Sequence, residues 1–213
     1  MCVITADQMK YTGGLFMDKS KKLTAKDFIT IGIFTAIIFV VEMVVGMTGY
    51  IHPYIVAGYV VLLPLVCGIP MMLYYTKVEK FGMLTIMSVL MAIIMFVTGM
   101  GYLGAPLIIL TGLIADLIAK SGGYKSYKKT VISNGFMSLW VCANYFPILV
   151  TADSYRKSLI EGGFSAEYAD SLFRAINTKT IAVLVIVCFI FGMIGAVLGK
   201  KAVKKHFEKA GIV

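Results

Sequence analysis

Of 213 residues, 59% are apolar and only 15% charged, and the mean hydropathy of +0.88 lies well outside the range of soluble domains, which are roughly 45–50% apolar. The apolar runs are too long for the alternating strands of a barrel, so the chain reads as an all-α integral membrane protein, a compact helical bundle whose backbone polar groups are satisfied within each segment. The net charge of +9 resides on lysines dispersed beside apolar runs with no recognition fold, which argues against nucleic acid as a partner.

The first 22 residues lack the continuous apolar region and small-residue cleavage site of a signal peptide. Met17, followed by "DKSKKLTAKDF", makes a natural start for a membrane protein with a basic amino-terminal end, so residues 1–22 are expected to be a disordered leader or start-site extension. Residues 23–213 then form a single membrane domain. Segments of about 20 mostly apolar residues predict six spans, near 27–47, 53–75, 81–99, 102–119, 130–150 and 178–199. Thr24 is placed to cap the first, with Asp27 at the positive end of its dipole. The fourth is short, and Gly104 and Pro106 predict an irregular start.

Lysines precede the first span, lie between spans two and three (Lys77, Lys80) and between four and five (Lys120 to Lys129), and follow span six; together they are sixteen of the twenty Lys and Arg. The loops after spans one and three have none, and the remaining Arg156, Lys157, Arg174 and Lys179 are balanced by acidic neighbours. By the positive-inside rule both termini are cytoplasmic. The longest outer loop, 151–177, contains "SAEYADSLFRAIN", in which Ser165 can cap a helix and Tyr168, Leu172, Phe173 and Ile176 recur at near-helical spacing. It reads either as an amphipathic helical lid or as a solvated connector. The tail "KKAVKKHFEKAGIV" continues span six as a basic helix ending near Gly211 and suited to anionic lipid headgroups; His206 on it reads as solvated.

Motifs for chemistry are scarce. "GAVLGKK" spaces Gly195 and Gly199 one residue too closely for a phosphate-binding loop and sits in a helical run. No hydrolase signature is present, so no enzyme activity and no cofactor is expected, and binding or transport is the better class. Cys2, Cys67, Cys142 and Cys188 have no CxxC spacing, and the last three read as small hydrophobes. Small residues one turn apart, Gly32 with Ala36, Gly192 with Ala196 and Gly195 with Gly199, leave smooth stripes that suit either an internal helix contact or a docking face.

Polar residues within spans are few. Glu42 lies about one turn from the outer end of span one and projects about 120° from the Gly32/Ala36 stripe. A charge at that depth costs roughly 3 kcal/mol or more unless paired, which makes Glu42 a candidate site residue or the partner of a neighbouring helix's polar group. Asp116, four residues before Lys120, reads as an i,i+4 pair, and Asn134 as structural. Trp140 and Asn144, one turn apart in span five beside Tyr145, offer an aromatic surface and an amide to a planar ligand. His52 lies in a tight loop between Tyr50 and Tyr54, Pro53 holding its backbone extended. The candidate substrate site is Glu42, Tyr50, His52, Tyr102, Trp140, Asn144 and Asn177, with no metal ion. Gly32 and Ala36 form the candidate docking surface.

Six short hydrophobic helices, an inside amino end, the stripe in helix one and no ATPase motif together resemble the S components of energy-coupling factor (ECF) transporters. More closely, "KKLTAKDFITIGIFTAIIF", "FGMLTIMSVLMAIIMFVTG", "GLIADLIAKSGGYKS", "SLWVCANYFP" and "EYADSL" resemble the Trep_Strep family of integral membrane proteins, assigned as S components of the MptD type. The resemblance implies a substrate-binding subunit in the bacterial cytoplasmic membrane that takes up a small micronutrient from outside. It implies as partners a transmembrane coupling protein and two cytoplasmic ATPases, with Gly32 and Ala36 matching the small-residue surface that docks on the coupling protein. A haem-specific S component is an alternative substrate reading, with His52 on iron and Arg156 or Lys157 on propionates. A structural membrane protein, or a stand-alone ion-coupled transporter in which Glu42 carries protons, is an alternative of another class.

Overall fold

The computed structural model describes residues 22–98 and 102–205, and among these every regular element is helical. The expected leader with Met17 and Cys2, and the tail with His206 and Gly211, lie outside the described residues. In chain order the helices are α1 (Ala25–Met47), α2 (Pro53–Tyr75), α3 (Met83–Thr98), α4 (Ala105–Ser121), α5 (Tyr127–Ser138), α6 (Trp140–Ala143), α7 (Phe146–Val150), α8 (Ala152–Glu161), α9 (Ala166–Ala175) and α10 (Ile181–Val203). Short 3₁₀ turns follow α1 at Thr48–Tyr50 and precede α4 at Tyr102–Gly104.

Among the described residues, three segments are long and apolar enough to cross a membrane: Ala25–Tyr50, Pro53–Tyr75 and Ile181–Val203. With a shorter apolar helix at Met83–Thr98, they make this a multi-pass membrane protein. The stretch read as one span at 130–150 is divided into α5, α6 and α7. Pro147 supplies the reason for the second break: it has no N–H to offer the turn before it, and its ring crowds the carbonyl of Ala143, where α6 ends.

Local signals place the helix starts. Asp27 Oδ2 accepts from the backbone N–H of Thr24 at 2.7 Å and from its hydroxyl at 2.8 Å, closing the first turn of α1. It also accepts from Lys80 Nζ at 2.7 Å, which ties the α2–α3 connection to that turn. Asp116 of α4 caps a different helix. Its Oδ2 accepts from the N–H groups of Gly82 (2.9 Å) and Thr85 (3.1 Å) and from the Thr85 hydroxyl (2.9 Å), while Tyr124 donates to Oδ1 at 3.0 Å. Fully buried, this carboxylate satisfies donors that the first turn of α3 would otherwise leave unmade. The i,i+4 pair expected between Asp116 and Lys120 is thereby corrected: Lys120 lies over the Phe81 ring, 4.7 Å from its centroid.

The two glycine-rich stripes have different fates. On α10, a Cβ at Gly195 would strike the Pro64 carbonyl and one at Gly199 the Gly68 carbonyl, so α2 and α10 pack backbone to backbone. Gly192 likewise faces Ser138, and Asn134 Nδ2 donates to the Gly192 carbonyl at 2.8 Å, fastening α5 to α10. On α1, by contrast, Gly32 has no neighbour within 4 Å and Ala36 is exposed, amid the exposed Ile29, Ile33, Ile37 and Val40.

Lys80 against Asp27, Lys120 over Phe81 and Lys200 over Tyr127 gather the lysine-bearing loops at one end of the bundle. The opposite end carries α8 and α9.

Candidate functional site

At that lid end a cavity of about 510 Å³ opens between the last turns of α1, the first turns of α2, α7 and the two short helices. Its walls are mostly apolar and include six aromatic rings, three of them held by their own hydroxyls. Tyr59 donates to the Gly46 carbonyl at 2.6 Å, Tyr145 to that of Val56 at 2.6 Å and Tyr168 to that of Gly49 at 2.8 Å. Val56, Tyr59 and Leu63, at helical spacing on α2, form one continuous wall of the cavity.

Glu42 and Asn144 supply polar groups to the lining. Glu42 is 8% exposed, deep in the bundle, while the neighbouring stripe residues Gly32 and Ala36 face outward, as the angular separation predicts. Asn144 Nδ2 donates to Glu42 Oε1 at 3.2 Å. The other oxygen of each group, Glu42 Oε2 and Asn144 Oδ1, is buried and has no hydrogen-bond partner among the described residues. Asn144 occupies the break between α6 and α7, so the interruption of the helix is what sets this amide beside α1.

The roof is α8 and α9, joined through Gly162 and Gly163; Gly163, at φ +96°, supplies the left-handed turn. Ser165 caps α9 by accepting from the Tyr168 N–H at 3.1 Å. Ala169, Leu172 and Ile176 are buried beneath α9, the face that the spacing of Leu172 and Ile176 predicts. Arg156 and Asp170 join the two helices at 2.9 Å. Phe164 bridges roof and rim: its ring lies 5.3 Å from Tyr50 and 4.6 Å from Tyr168. Burial pushes the Tyr168 phenol up to about 12. Because the folded value is raised, the stabilisation of its protonated form is complete below the free phenol's range near ~10 and is lost only as pH rises toward the folded value.

The sequence-selected residues therefore divide. Glu42, Tyr50 and Asn144 line the cavity together. Trp140, expected to share a face with Asn144, instead borders a separate void of about 10 Å³ with Ile38, Cys67 and Asn134; the interruption of α5–α7 breaks the helical phase on which that pairing relied. His52 caps α2, its Nδ1 accepting from the Tyr54 N–H at 3.3 Å, and its exposed ring stacks on Tyr54 outside the cavity lining. Asn177 caps the approach to α10. Its Oδ1 accepts from the N–H groups of Lys179 (2.9 Å) and Thr180 (3.2 Å), and its Nδ2 donates to the Arg174 carbonyl at 2.8 Å, which commits both ends of the amide. Tyr102 opens the 3₁₀ turn before α4; its side chain lies outside the described structure.

Tyr59, Tyr145, Tyr155, Phe164 and Tyr168 complete the aromatic lining and were not selected from the sequence. Tyr145 adjoins Asn144, and Tyr168 belongs to the periodic lid pattern, so their order in the chain holds a trace of the site. The role of Tyr59 depends on the crossing of α1 and α2, which periodicity alone does not specify.

A family model described as a hypothetical bacterial integral membrane protein (Trep_Strep) matches residues 25–209. Neither a curated protein nor a solved structure matches the chain.

Proposed function

Since the chain belongs to the Trep_Strep family of bacterial integral membrane proteins, we propose that it is the substrate-binding subunit, or S component, of an ECF-type importer, and that it captures a small planar micronutrient in the cavity under the lid. In this reading six segments cross the membrane, the lysine end is cytoplasmic and the lid faces outward. The observation that carries the proposal is the cavity itself. Its volume of about 510 Å³ falls within the roughly 300–1,000 Å³ of small-molecule sites, and it has their character, apolar and aromatic walls with a few buried polar groups.

Capture and reorientation, with no bond chemistry, are the task of such a subunit. Energy comes from a transmembrane coupling protein and two cytoplasmic ATPases, and the exposed Gly32/Ala36 stripe of α1 is the surface offered to the former. The stripe lies across α1 from Glu42, so docking and ligand binding use different faces of one helix.

Purification from the native membrane tests both halves. The coupling protein and ATPases are expected to accompany the protein, and mass spectrometry should find a small molecule retained. Replacing Gly32 and Ala36 together by Leu should release the coupling protein and spare the retained molecule. An intact complex in that variant removes the docking assignment. Substrate uptake by the protein alone in liposomes, without any ATPase, would replace the S-component reading with that of an ion-coupled carrier.

A further inference from the structure

We propose that the ligand of this cavity is a planar nitrogen heterocycle or amidine whose edge presents paired N–H donors to Glu42 and Asn144. This specifies the substrate class and rests on the substrate-binding reading above.

Two acceptors without partners belong to two side chains that touch each other. With Asn144 Nδ2 committed to Glu42 Oε1 at 3.2 Å, the amide is oriented so that its Oδ1 turns away, and Glu42 Oε2 is the second unmatched oxygen. A buried acceptor left unmade costs roughly 1–3 kcal/mol, so two on adjoining side chains that line one cavity call for donors.

No side chain of the cavity walls reaches Glu42 Oε2 or Asn144 Oδ1, and five of the lining hydroxyls are committed elsewhere. The hydroxyls of Tyr59, Tyr145 and Tyr168 donate to the carbonyls of Gly46, Val56 and Gly49. Those of Thr151 and Ser158 donate to the carbonyls of Pro147 and Ser154. The remaining unmatched oxygen, Asn134 Oδ1, borders a void of only about 10 Å³, too small for a ligand. A ligand in the cavity can bring donors to Glu42 and Asn144, and the soft terminal torsions of both side chains let either oxygen turn to meet them.

Charge and shape narrow the class further. No Lys, Arg or His is among the described residues lining the cavity, so a carboxylate or phosphate placed beside Glu42 would find no counter-ion. A neutral or cationic N–H edge has no such conflict. The aromatic walls favour a flat ring, since stacked and edge contacts reward planarity. A donor pair on one planar edge joins these requirements, as an amidinium, or an amine beside a ring N–H, provides.

The test uses the full-length protein in detergent, with binding read by ligand-observed saturation-transfer NMR and affinity by calorimetry. Benzamidine and 2,4-diaminopyrimidine are the planar N–H probes, benzoate the anionic control and cyclohexylamine the non-planar ammonium control. Both planar N–H probes should bind in preference to benzoate and cyclohexylamine. Glu42→Gln should weaken them by about ten- to a hundred-fold, the range for losing a bond to a charged group. If that variant does not fold, Asn144→Ser reports on the second acceptor with the same expectation. Benzoate or cyclohexylamine binding as tightly as benzamidine, or a folded Glu42→Gln with unchanged affinity, overturns the inference. Val56→Trp, which narrows the cavity beside Tyr59, separates it from the broader reading. If Val56→Trp releases a native molecule and leaves benzamidine affinity unchanged, benzamidine does not occupy the cavity and this inference fails alone; if it changes neither, both fall. If Val56→Trp expels a native molecule that has no N–H edge, the substrate-binding reading stands and only this inference fails.

Discussion

Asp116 is the side chain whose environment departs furthest from its local sequence context. Four residues before Lys120 it had an obvious helical partner, yet its four bonds run to Gly82, Thr85 and Tyr124, two of these residues more than thirty positions earlier in the chain. A single carboxylate thus completes the amino-terminal turn of α3 and pins α4 against it. Asp116→Ala leaves buried N–H and hydroxyl donors unmatched and should destabilise the fold by roughly 3 kcal/mol, visible as a lower melting temperature in detergent. Asp116→Asn, which keeps one acceptor oxygen, should recover part of that loss. A melting temperature unchanged in Asp116→Ala would contradict the capping role. At this scale the sequence carries the presence of an intramembrane polar group far better than its partner. Glu42 was marked as a candidate by its cost in an apolar run, but Asn144, 102 residues later, could be joined to it only once the crossing of the helices was known.

Among the elements, the small-residue stripes make the same point with backbone in place of side chains. Gly32/Ala36 and Gly195/Gly199 share one spacing and small side chains, and periodicity cannot tell a stripe that packs inside a bundle from one that faces away. Packing separates them: Gly195 and Gly199 press on the carbonyls of Pro64 and Gly68, and Gly32 meets nothing. Gly195→Ala should therefore cost about 2 kcal/mol or more, since the added methyl can be accommodated only by parting α2 from α10. Gly32→Ala should be neutral or stabilise α1 by up to about 1 kcal/mol through helix propensity. Denaturant titrations of the two variants side by side check the contrast, and equal stabilities would mean that α2 and α10 do not approach as described. Helix existence was legible for α1, α2 and α10, where apolar runs are long and the starts carry Thr24 and Pro53. The fifth predicted span was legible only as apolar composition. Its second break follows from Pro147, and the i→i−3 bonds from Cys142 to Leu139 and from Asn144 to Val141 tighten the winding and undo the one-turn relation between Trp140 and Asn144. The lid was better specified, because Ser165 and the buried Leu172 and Ile176 are local signals that agree with one another.

For the molecule as a whole, the two ends differ in chemistry, and that difference agrees with the proposed import role. Lysines of four separate segments converge on the end where Lys80 meets Asp27 and Lys200 meets Tyr127. The opposite end has the cavity, roofed by helices that Tyr168 and Phe164 fasten to the rim. In the proposed orientation the lysine end is cytoplasmic, as the positive-inside rule predicts, and the cavity then lies where an extracellular solute first meets the protein. Accessibility to a membrane-impermeant maleimide decides this orientation. In a variant with Cys2, Cys67, Cys142 and Cys188 replaced by Ala, Glu167→Cys on the exposed side of α9 should label in intact cells. Lys125→Cys, exposed at the lysine end, should label only after lysis. The reverse pattern would turn the cavity toward the cytoplasm, and capture from outside would have to be abandoned even with every contact within the bundle unchanged. The orientation is thus independent of the fold that displays it: it depends on how lysines are distributed between the two ends, while the cavity depends on residues that carry no positive charge.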